Sequence, residues 1–154
     1  MVCPSYPPQP VTCGVGDYTR CLVDELVRQG DDVTVLAGDR FCGEQGPAGR
    51  VQPGVPAWTV GEALRLARRA ADRAAEIVHL QYTPDLYGHR LGFKLAPLLL
   101  RCRPDAPRTV VTFHTLVGGS LRARVAAPLL LATAHHGIAA NEEVSALVRR
   151  RLPG

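Results

Sequence analysis

The residues with the clearest chemical potential are polar side chains that follow apolar segments. His114 comes directly after the apolar run TVVTF at 109–113 and precedes two glycines, so its imidazole is placed to meet a ligand, although a lone histidine more often serves the structure. Gln81 and Tyr82 close the segment IVHLQY at 77–82, and both can hydrogen-bond a polyhydroxylated ligand. For Tyr82, packing in the core is the alternative. These residue types predict recognition of a hydroxyl-rich ligand beside a histidine.

Two glycines form a second candidate site. Gly14 and Gly16 lie in CGVGDYTR at 13–20, just before a helical pattern. Glycine allows close approach of the backbone to a ligand or a positive φ, and a helix N-terminus presents N–H groups to an anion or a sugar hydroxyl. A plain turn from loop to helix is the alternative. A dinucleotide fingerprint is disfavoured because Thr19 replaces its third glycine and the preceding strand ends too early, although Asp39 could mimic the ribose-binding acid.

Several further polar residues can be explained either by a structural role or by contact with a ligand. Asn141 and Glu142 follow the last predicted strand, where capping of the next helix is their default role and ligand contact is secondary. Arg122 and Arg124 follow the His114 segment and can meet an anionic substrate. The arginines at 149–151 close a helix, where cations complement the helix dipole.

Composition excludes several classes of protein. Apolar residues make up 46% of the 154 residues and charged residues 21%, which is enough for a packed core and unlike a disordered tail. Aromatic residues make up only 5%, which disfavours a stacking platform for single-stranded nucleic acid. Residues 1–76 carry a net charge of −2 and residues 77–154 carry +6. The second half therefore favours an anionic partner, such as a phosphorylated substrate or a lipid head group, and we expect no nucleic-acid binding.

Cysteines and histidines do not form a recognisable metal or disulfide pattern. The five cysteines are odd in number and contain no C-x-x-C pair, while His135 and His136 are adjacent and cannot both face one metal from a helix. His79 lies inside a predicted strand and is interpreted as structural. The longest apolar stretches, 91–100 and 125–134, are about half the ~20 residues of a membrane span. We expect a soluble chain from a reducing compartment, without a metal site.

The elements that must position these residues alternate along the chain. Apolar periodicity predicts helices at 15–30, 62–76, 91–102, 121–134 and 142–151. Apolar and β-branched runs predict strands in the opening MVCPSYP and at 33–37, 77–82, 109–113 and 137–140. The glycine- and proline-rich segment 38–57 is predicted to be a long loop. This alternation predicts an α/β protein, a Rossmann-like three-layer αβα sandwich with a mostly parallel sheet, whose ligands bind at the carboxyl ends of the strands.

Four segments of the chain, taken together, resemble a known family. GVGDYTRCLVDELVRQGDDVTVLAG, IVHLQYTPDLYG, TVVTFHT and GIAANEEVSALVRRRLPG occur in the order and spacing of family-four retaining glycosyltransferases of the GT-B fold. The resemblance implies that His114 faces the donor sugar as the catalytic histidine and helps to place the anomeric carbon. It implies the following substrate-binding residues on the acceptor side or the floor of the cleft: Gly14, Val15, Gly16, Gln81, Tyr82, Thr115 and Asn141.

The resemblance also carries expectations about the whole enzyme. Residues 1–154 would form one N-terminal, acceptor-side domain, with the C-terminal donor-binding domain absent. The family's pair of glutamates, eight positions apart, does not occur in this sequence. The donor would be a nucleotide sugar and the acceptor a hydroxyl, with no metal or cofactor, and the chain alone would be inactive. Cys13 stands where members often carry another glycine, which places the first turn in doubt.

Two alternatives and one further partner stay open at this point. A stand-alone Rossmann-like module that binds a carbohydrate or a phosphorylated ligand without catalysis is the main alternative, and an NAD-dependent enzyme is a weaker one. The arginines at 101, 103 and 108 could lie against an anionic membrane. The expected location is cytoplasmic, with the inner face of the membrane as a peripheral site.

Overall fold

The computed structural model describes residues 1–6, 13–38, 50–54, 58–87, 91–115 and 121–151. The chain divides into two compact units, Met1–Pro56 and Ala57–Gly154. Both units are built from parallel strands and helices, which confirms the α/β class predicted from the alternating pattern.

The first unit contains helix α1 (Gly14–Arg28) and strands β1 (Thr34–Ala37) and β2 (Arg50–Pro53). The two strands are parallel, with Thr34 opposite Arg50. The opening segment also pairs with β1 in parallel, since Val2 bridges Leu36. The predicted first strand is therefore present as a short paired segment. The core of this unit consists of Cys3, Tyr6, Val23, Val33, Val35, Ala37 and Val51.

The segment 38–57 was expected to be a loop throughout, and β2 corrects that expectation. Its four residues were missed because the glycines and prolines around them break up any visible strand pattern. Parallel pairing with the apolar strand β1 stabilises this strand through backbone hydrogen bonds, which the local sequence does not predict. Residues 39–49 and 55–57, which include Asp39, lie outside the part of the chain that the structure describes.

Helix α1 ends as its sequence predicts. Gly30 has a φ of 100°, and its N–H donates to Val27 O at 3.0 Å. Asp31 N–H donates to Leu26 O at 3.0 Å, which completes a Schellman motif. Only glycine adopts this left-handed conformation without cost, so Gly30 stops the helix.

The second unit contains a three-stranded parallel sheet in the order β3 (Ile77–Tyr82), β4 (Arg108–Phe113) and β5 (His136–Ala139). Its helices are α2 (Val60–Asp72), α3 (Pro84–Tyr87), α4 (Leu91–Arg101), α5 (Leu121–Thr133) and α6 (Glu142–Arg151). The short helix α3 was not predicted. The other predicted elements of this unit are present, with ends that differ by a few residues.

Helix α2 begins at a capping box. Thr59 Oγ1 accepts the N–H of Glu62 at 3.3 Å, and the Glu62 carboxylate accepts the N–H of Thr59 at 3.4 Å. The same turn packs against the start of α4 at Gly92, where a Cβ would overlap the carbonyl oxygens of Trp58 and Thr59. Gly92 therefore allows the two helices to approach closely.

An aromatic cluster fills the core of the second unit. The Tyr87 and Phe93 rings stack with centroids 3.6 Å apart, and Trp58 meets each of them edge-on at 5.1 Å. Tyr82 stacks with Phe93 and meets Phe113 edge-on, both at 5.6 Å. This cluster fixes the ends of β3 and β4, where the candidate site residues lie.

Candidate functional site

The carboxyl ends of β3 and β4 bring two of the predicted site residues into contact. His114 follows the last residue of β4, and its N–H donates to Tyr82 O at 2.9 Å, which extends the strand pairing by one step. Its imidazole Nε2 lies 2.8 Å from Gln81 Oε1. Since an amide oxygen only accepts, Nε2 carries the proton in this hydrogen bond. The structure thus joins His114 and Gln81.

Gln81 has a buried side chain and a hydrogen-bonded backbone. Its side chain is fully buried, at 0% exposure, and its backbone oxygen accepts a hydrogen bond from the Tyr87 hydroxyl at 2.7 Å. The amide nitrogen Nε2 is buried without a hydrogen-bond partner among the residues that the structure describes. A direct contact between Gln81 and an acceptor, expected from the sequence, remains a prediction.

Asn141 links the start of helix α6 to the backbone of His114. Its side-chain oxygen accepts the N–H of Val144 at 2.9 Å, so it caps α6 as its position predicts. Its amide nitrogen donates to His114 O at 3.3 Å. Asn141 lies between β5 and α6 and is exposed. Its side chain is therefore a polar group next to the His114 backbone that solvent also reaches.

Burial keeps the imidazole at this position neutral. The pKa of His114 is lowered from its usual value because the partly buried ring loses hydration of its charged form. His79, two residues before Gln81 on β3, has a pKa lowered to about 4, chiefly because burial penalises its charged form. Its Nε2 lies 2.7 Å from Thr112 Oγ1 in a hydrogen bond. His79 is thus tied to the neighbouring strand, in agreement with its structural interpretation.

Tyr82 and Thr115 differ in their surroundings. Tyr82 is 3% exposed and lies in the aromatic cluster, and burial raises the pKa of its hydroxyl to about 12. The packing role considered from the sequence therefore applies to its ring, and a ligand contact stays a prediction. Thr115 is half-buried next to His114. The glycines that follow it, at 118 and 119, lie outside the described residues.

The glycine pair in the first unit has a different conformation from the one predicted. Cys13 is the N-cap of α1, with extended backbone at φ −132°, and the helix begins at Gly14. Gly14, Val15 and Gly16 thus form the first helical turn rather than a loop before it. Among the described glycines only Gly30 has a positive φ, so of the two possibilities considered for Gly14 and Gly16, close approach to a ligand remains a prediction and a positive φ is not observed.

The thiol of Cys13 lies among donors at this N-terminus. Burial opposes its ionisation, but the Ser5 hydroxyl and the N–H groups of Gly16 and Val15 outweigh burial and lower its pKa. Gly14 is exposed and Gly16 is buried. The open position of Gly14, where an added Cβ would meet nothing within 4 Å, is compatible with close approach of a ligand.

The structure describes the side chains of only some of the arginines considered from the sequence. The side chains of Arg122 and Arg124 lie outside the described part of the chain. Arg103 pairs with Asp105 at 3.3 Å, and an Arg101 N–H donates to Thr133 O at 3.4 Å. In the described residues, no group of three or more His, Cys, Asp or Glu side chains could hold a metal ion, and no helix has the length and apolar character to cross a membrane.

The contact between Gln81 and His114 could be predicted only in part from the sequence. Side chains alternate between the faces of a strand, so positions 79 and 81 share a face of β3 and positions 112 and 114 share a face of β4. The parallel register, with Gln81 opposite Thr112, places Gln81 beside His114 diagonally. Alternation gives the shared faces, but only the register identifies the partner.

Comparison with known proteins identifies the family of the chain. No curated protein matches the chain in a sequence search. A family model described as Glycosyltransferase Family 4 matches residues 12–153, which include every candidate site residue from Gly14 to Asn141. The resemblance predicted from the four sequence segments is confirmed, and the chain belongs to Glycosyltransferase Family 4.

Proposed function

We propose that this chain is the acceptor-side, N-terminal domain of a retaining glycosyltransferase. The enzyme would move a sugar from a nucleotide-sugar donor to an acceptor hydroxyl. The observation that carries the proposal is His114 at the carboxyl ends of parallel strands, where its imidazole hydrogen-bonds Gln81 and its backbone oxygen accepts the Asn141 amide. Ligands of open α/β sheets bind at these ends.

A neutral histidine suits the contact that we assign to it. Sugar transfer passes through an oxocarbenium-like state, in which positive charge develops on the donor ring. A neutral imidazole can hydrogen-bond a sugar hydroxyl without repelling that charge. Its anchoring to β3 and α6 limits its motion, and fixed geometry is what lowers the barrier to a transfer between two bound substrates.

Stabilisation of the leaving diphosphate is a second requirement of the reaction. Negative charge develops on the phosphates as the sugar departs, and preformed donors must stabilise it. The resemblance assigns this task to an Arg/Lys pair in a second domain, which also carries the family's glutamate pair, and that glutamate pair does not occur in these 154 residues. We therefore propose that a second, donor-binding domain completes the site in cis or in trans, without a metal or an organic cofactor, and that the chain alone gives no turnover.

Binding to nucleotide sugars tests this proposal. The chain, joined to or mixed with a donor-binding domain, is labelled with ¹⁵N-histidine and titrated with a panel of uridine- and guanosine-diphosphate sugars at pH 7. We expect shifts of the His114 imidazole resonances with the sugars and no shifts with the free nucleoside diphosphates. Shifts confined to the exposed His136, or no shift with any sugar, would contradict the placement of the donor.

Turnover is tested in a longer protein that carries the donor-binding domain. His114→Ala should reduce transfer by roughly 10²–10⁴-fold, the range of a positioned catalytic side chain, while His136→Ala should leave it unchanged. Sugar binding without turnover in that longer protein would favour the stand-alone binding module instead.

The location of the enzyme is a further part of the proposal. The excess of positive charge in residues 77–154 favours a cytoplasmic enzyme that acts next to an anionic membrane. Co-sedimentation with phosphatidylserine vesicles at low salt, and its loss at high salt, would support this. Equal recovery with neutral and anionic vesicles would contradict it.

A further inference from the structure

The buried amide of Gln81 has no evident value for stability. A buried donor without a partner costs about 1–3 kcal/mol, and the Gln81 amide nitrogen has none among the described residues. An apolar residue at this position would avoid that cost. The contribution of the amide must therefore come from its other atom, the oxygen that contacts His114 at 2.8 Å.

The oxygen is held in place more firmly than a side-chain contact alone would require. The backbone of Gln81 is paired with β4, with Thr112 as its register partner, and its carbonyl accepts the Tyr87 hydroxyl. The backbone of His114 is fixed by its N–H bond to Tyr82 and by the Asn141 amide at its carbonyl. The backbones at both ends of the contact are thus fixed, and the complete burial of Gln81 restricts the rotation of its side chain.

This contact selects one form of the imidazole. A neutral histidine carries its proton on one ring nitrogen and a lone pair on the other. An amide oxygen cannot donate, so it stabilises the form protonated at Nε2 and leaves the lone pair on Nδ1. Any group that hydrogen-bonds Nδ1 must then donate to it, as a sugar hydroxyl can.

We propose that Gln81 is a positioning residue that holds His114 in the Nε2-protonated tautomer. This role rests on the function proposed for His114 but differs from direct contact with a substrate. His79 is the titratable neighbour on the same strand face. Its Nε2 is already hydrogen-bonded to Thr112 on the neighbouring strand, so this nitrogen does not compete for the amide.

The tautomer can be measured without a sugar or a second domain. Nitrogen chemical shifts of ¹⁵N-histidine distinguish a protonated from an unprotonated ring nitrogen in the chain itself. In the wild type we expect His114 to be protonated at Nε2 alone above its pKa. A ring protonated at Nδ1, or an even mixture of the two forms, would overturn the proposal with no variant needed.

Two substitutions then separate positioning from packing. Gln81→Met keeps the size of the side chain and removes the acceptor, so the two neutral tautomers of His114 should mix. Gln81→Glu keeps the acceptor and adds a negative charge, so the pKa of His114 should rise by more than about 1 while the Nε2 proton stays in place.

The signals of His79 report whether each variant has kept its fold. With unchanged His79 signals, a His114 tautomer that is the same in wild type and Gln81→Met would overturn the proposal. The donor titration described above tests the proposed function separately. A chain that shows the predicted tautomer but no sugar-induced shifts would retain the role of Gln81 and lose that of the glycosyltransferase domain.

Discussion

The buried His79 makes a specific contribution to stability that depends on pH. Its pKa lies at about 4 in the folded chain, below the usual value of 6.5, mainly because burial penalises the imidazolium. The unfolded chain therefore binds a proton more readily than the folded chain. The stabilisation is complete above pH 6.5, is lost as the pH falls toward 4, and changes no further below that value.

The size of the effect follows from this difference in pKa. The full loss amounts to about 3 kcal/mol, since one pH unit corresponds to 1.36 kcal/mol. Between pH 7 and pH 5 the linkage relation gives a loss of about 2 kcal/mol. This is a substantial fraction of the roughly 5–15 kcal/mol by which small domains are stable.

Urea unfolding of three proteins at pH 7 and pH 5 measures this loss. Trp58, the only tryptophan, is buried in the same unit as His79 and reports its unfolding by fluorescence. The His79→Gln variant keeps a polar atom near the position of Nε2 for Thr112 but cannot titrate, so it should lose about 2 kcal/mol less than the wild type between the two values. His136→Gln, a change at an exposed histidine, should follow the wild type. If His79→Gln and the wild type lost stability in parallel, the reasoning from burial would be refuted.

Other predictions concern backbone conformation and thiol reactivity. Gly92→Ala should destabilise the chain by about 1–3 kcal/mol, because the added Cβ would overlap two backbone carbonyl oxygens. Gly61→Ala, at an open position in a helix, should instead stabilise the chain by roughly 0.5–1 kcal/mol. Urea titration of both variants measures the two changes, and changes of the same sign would contradict the packing argument. Ala74 occupies the left-handed position of a Schellman motif, with φ 47°, so Ala74→Gly should raise stability by about 1 kcal/mol, and a lower thermal midpoint would contradict this. The pH dependence of iodoacetamide labelling, followed by mass spectrometry, gives a midpoint for each cysteine. The midpoint of Cys13 should lie below that of free cysteine, and that of Cys3 should lie above it, since burial raises the pKa of Cys3. Identical midpoints for the two cysteines would contradict the environment described for Cys13.

Some features of the fold could be predicted because they are local. Gly30 ends α1 because its position needs a left-handed conformation, and Asn141 caps α6 because its side-chain oxygen reaches the free N–H of Val144. The strands at 77–82 and 109–113 were visible as apolar runs, which strands buried on both faces require. The family was also visible, since its motifs are contiguous in the chain.

Other features could not be seen because they depend on distant residues. Strand β2 exists through its pairing with β1, although its own sequence is rich in turn formers. Tyr82 was equally compatible with a ligand contact and with the core until the aromatic cluster around it was known.

The sequence by itself determined the alternation of strands and helices, the family, and His114 as the residue at the end of a central strand. Tertiary structure decided what His114 touches. Gln81 and His114 lie 33 positions apart, and their contact depends on the parallel register that sets Gln81 opposite Thr112. A shift of one residue in that register would keep every element and motif in the sequence, but it would turn Gln81 to the opposite face and remove the partner that holds the imidazole.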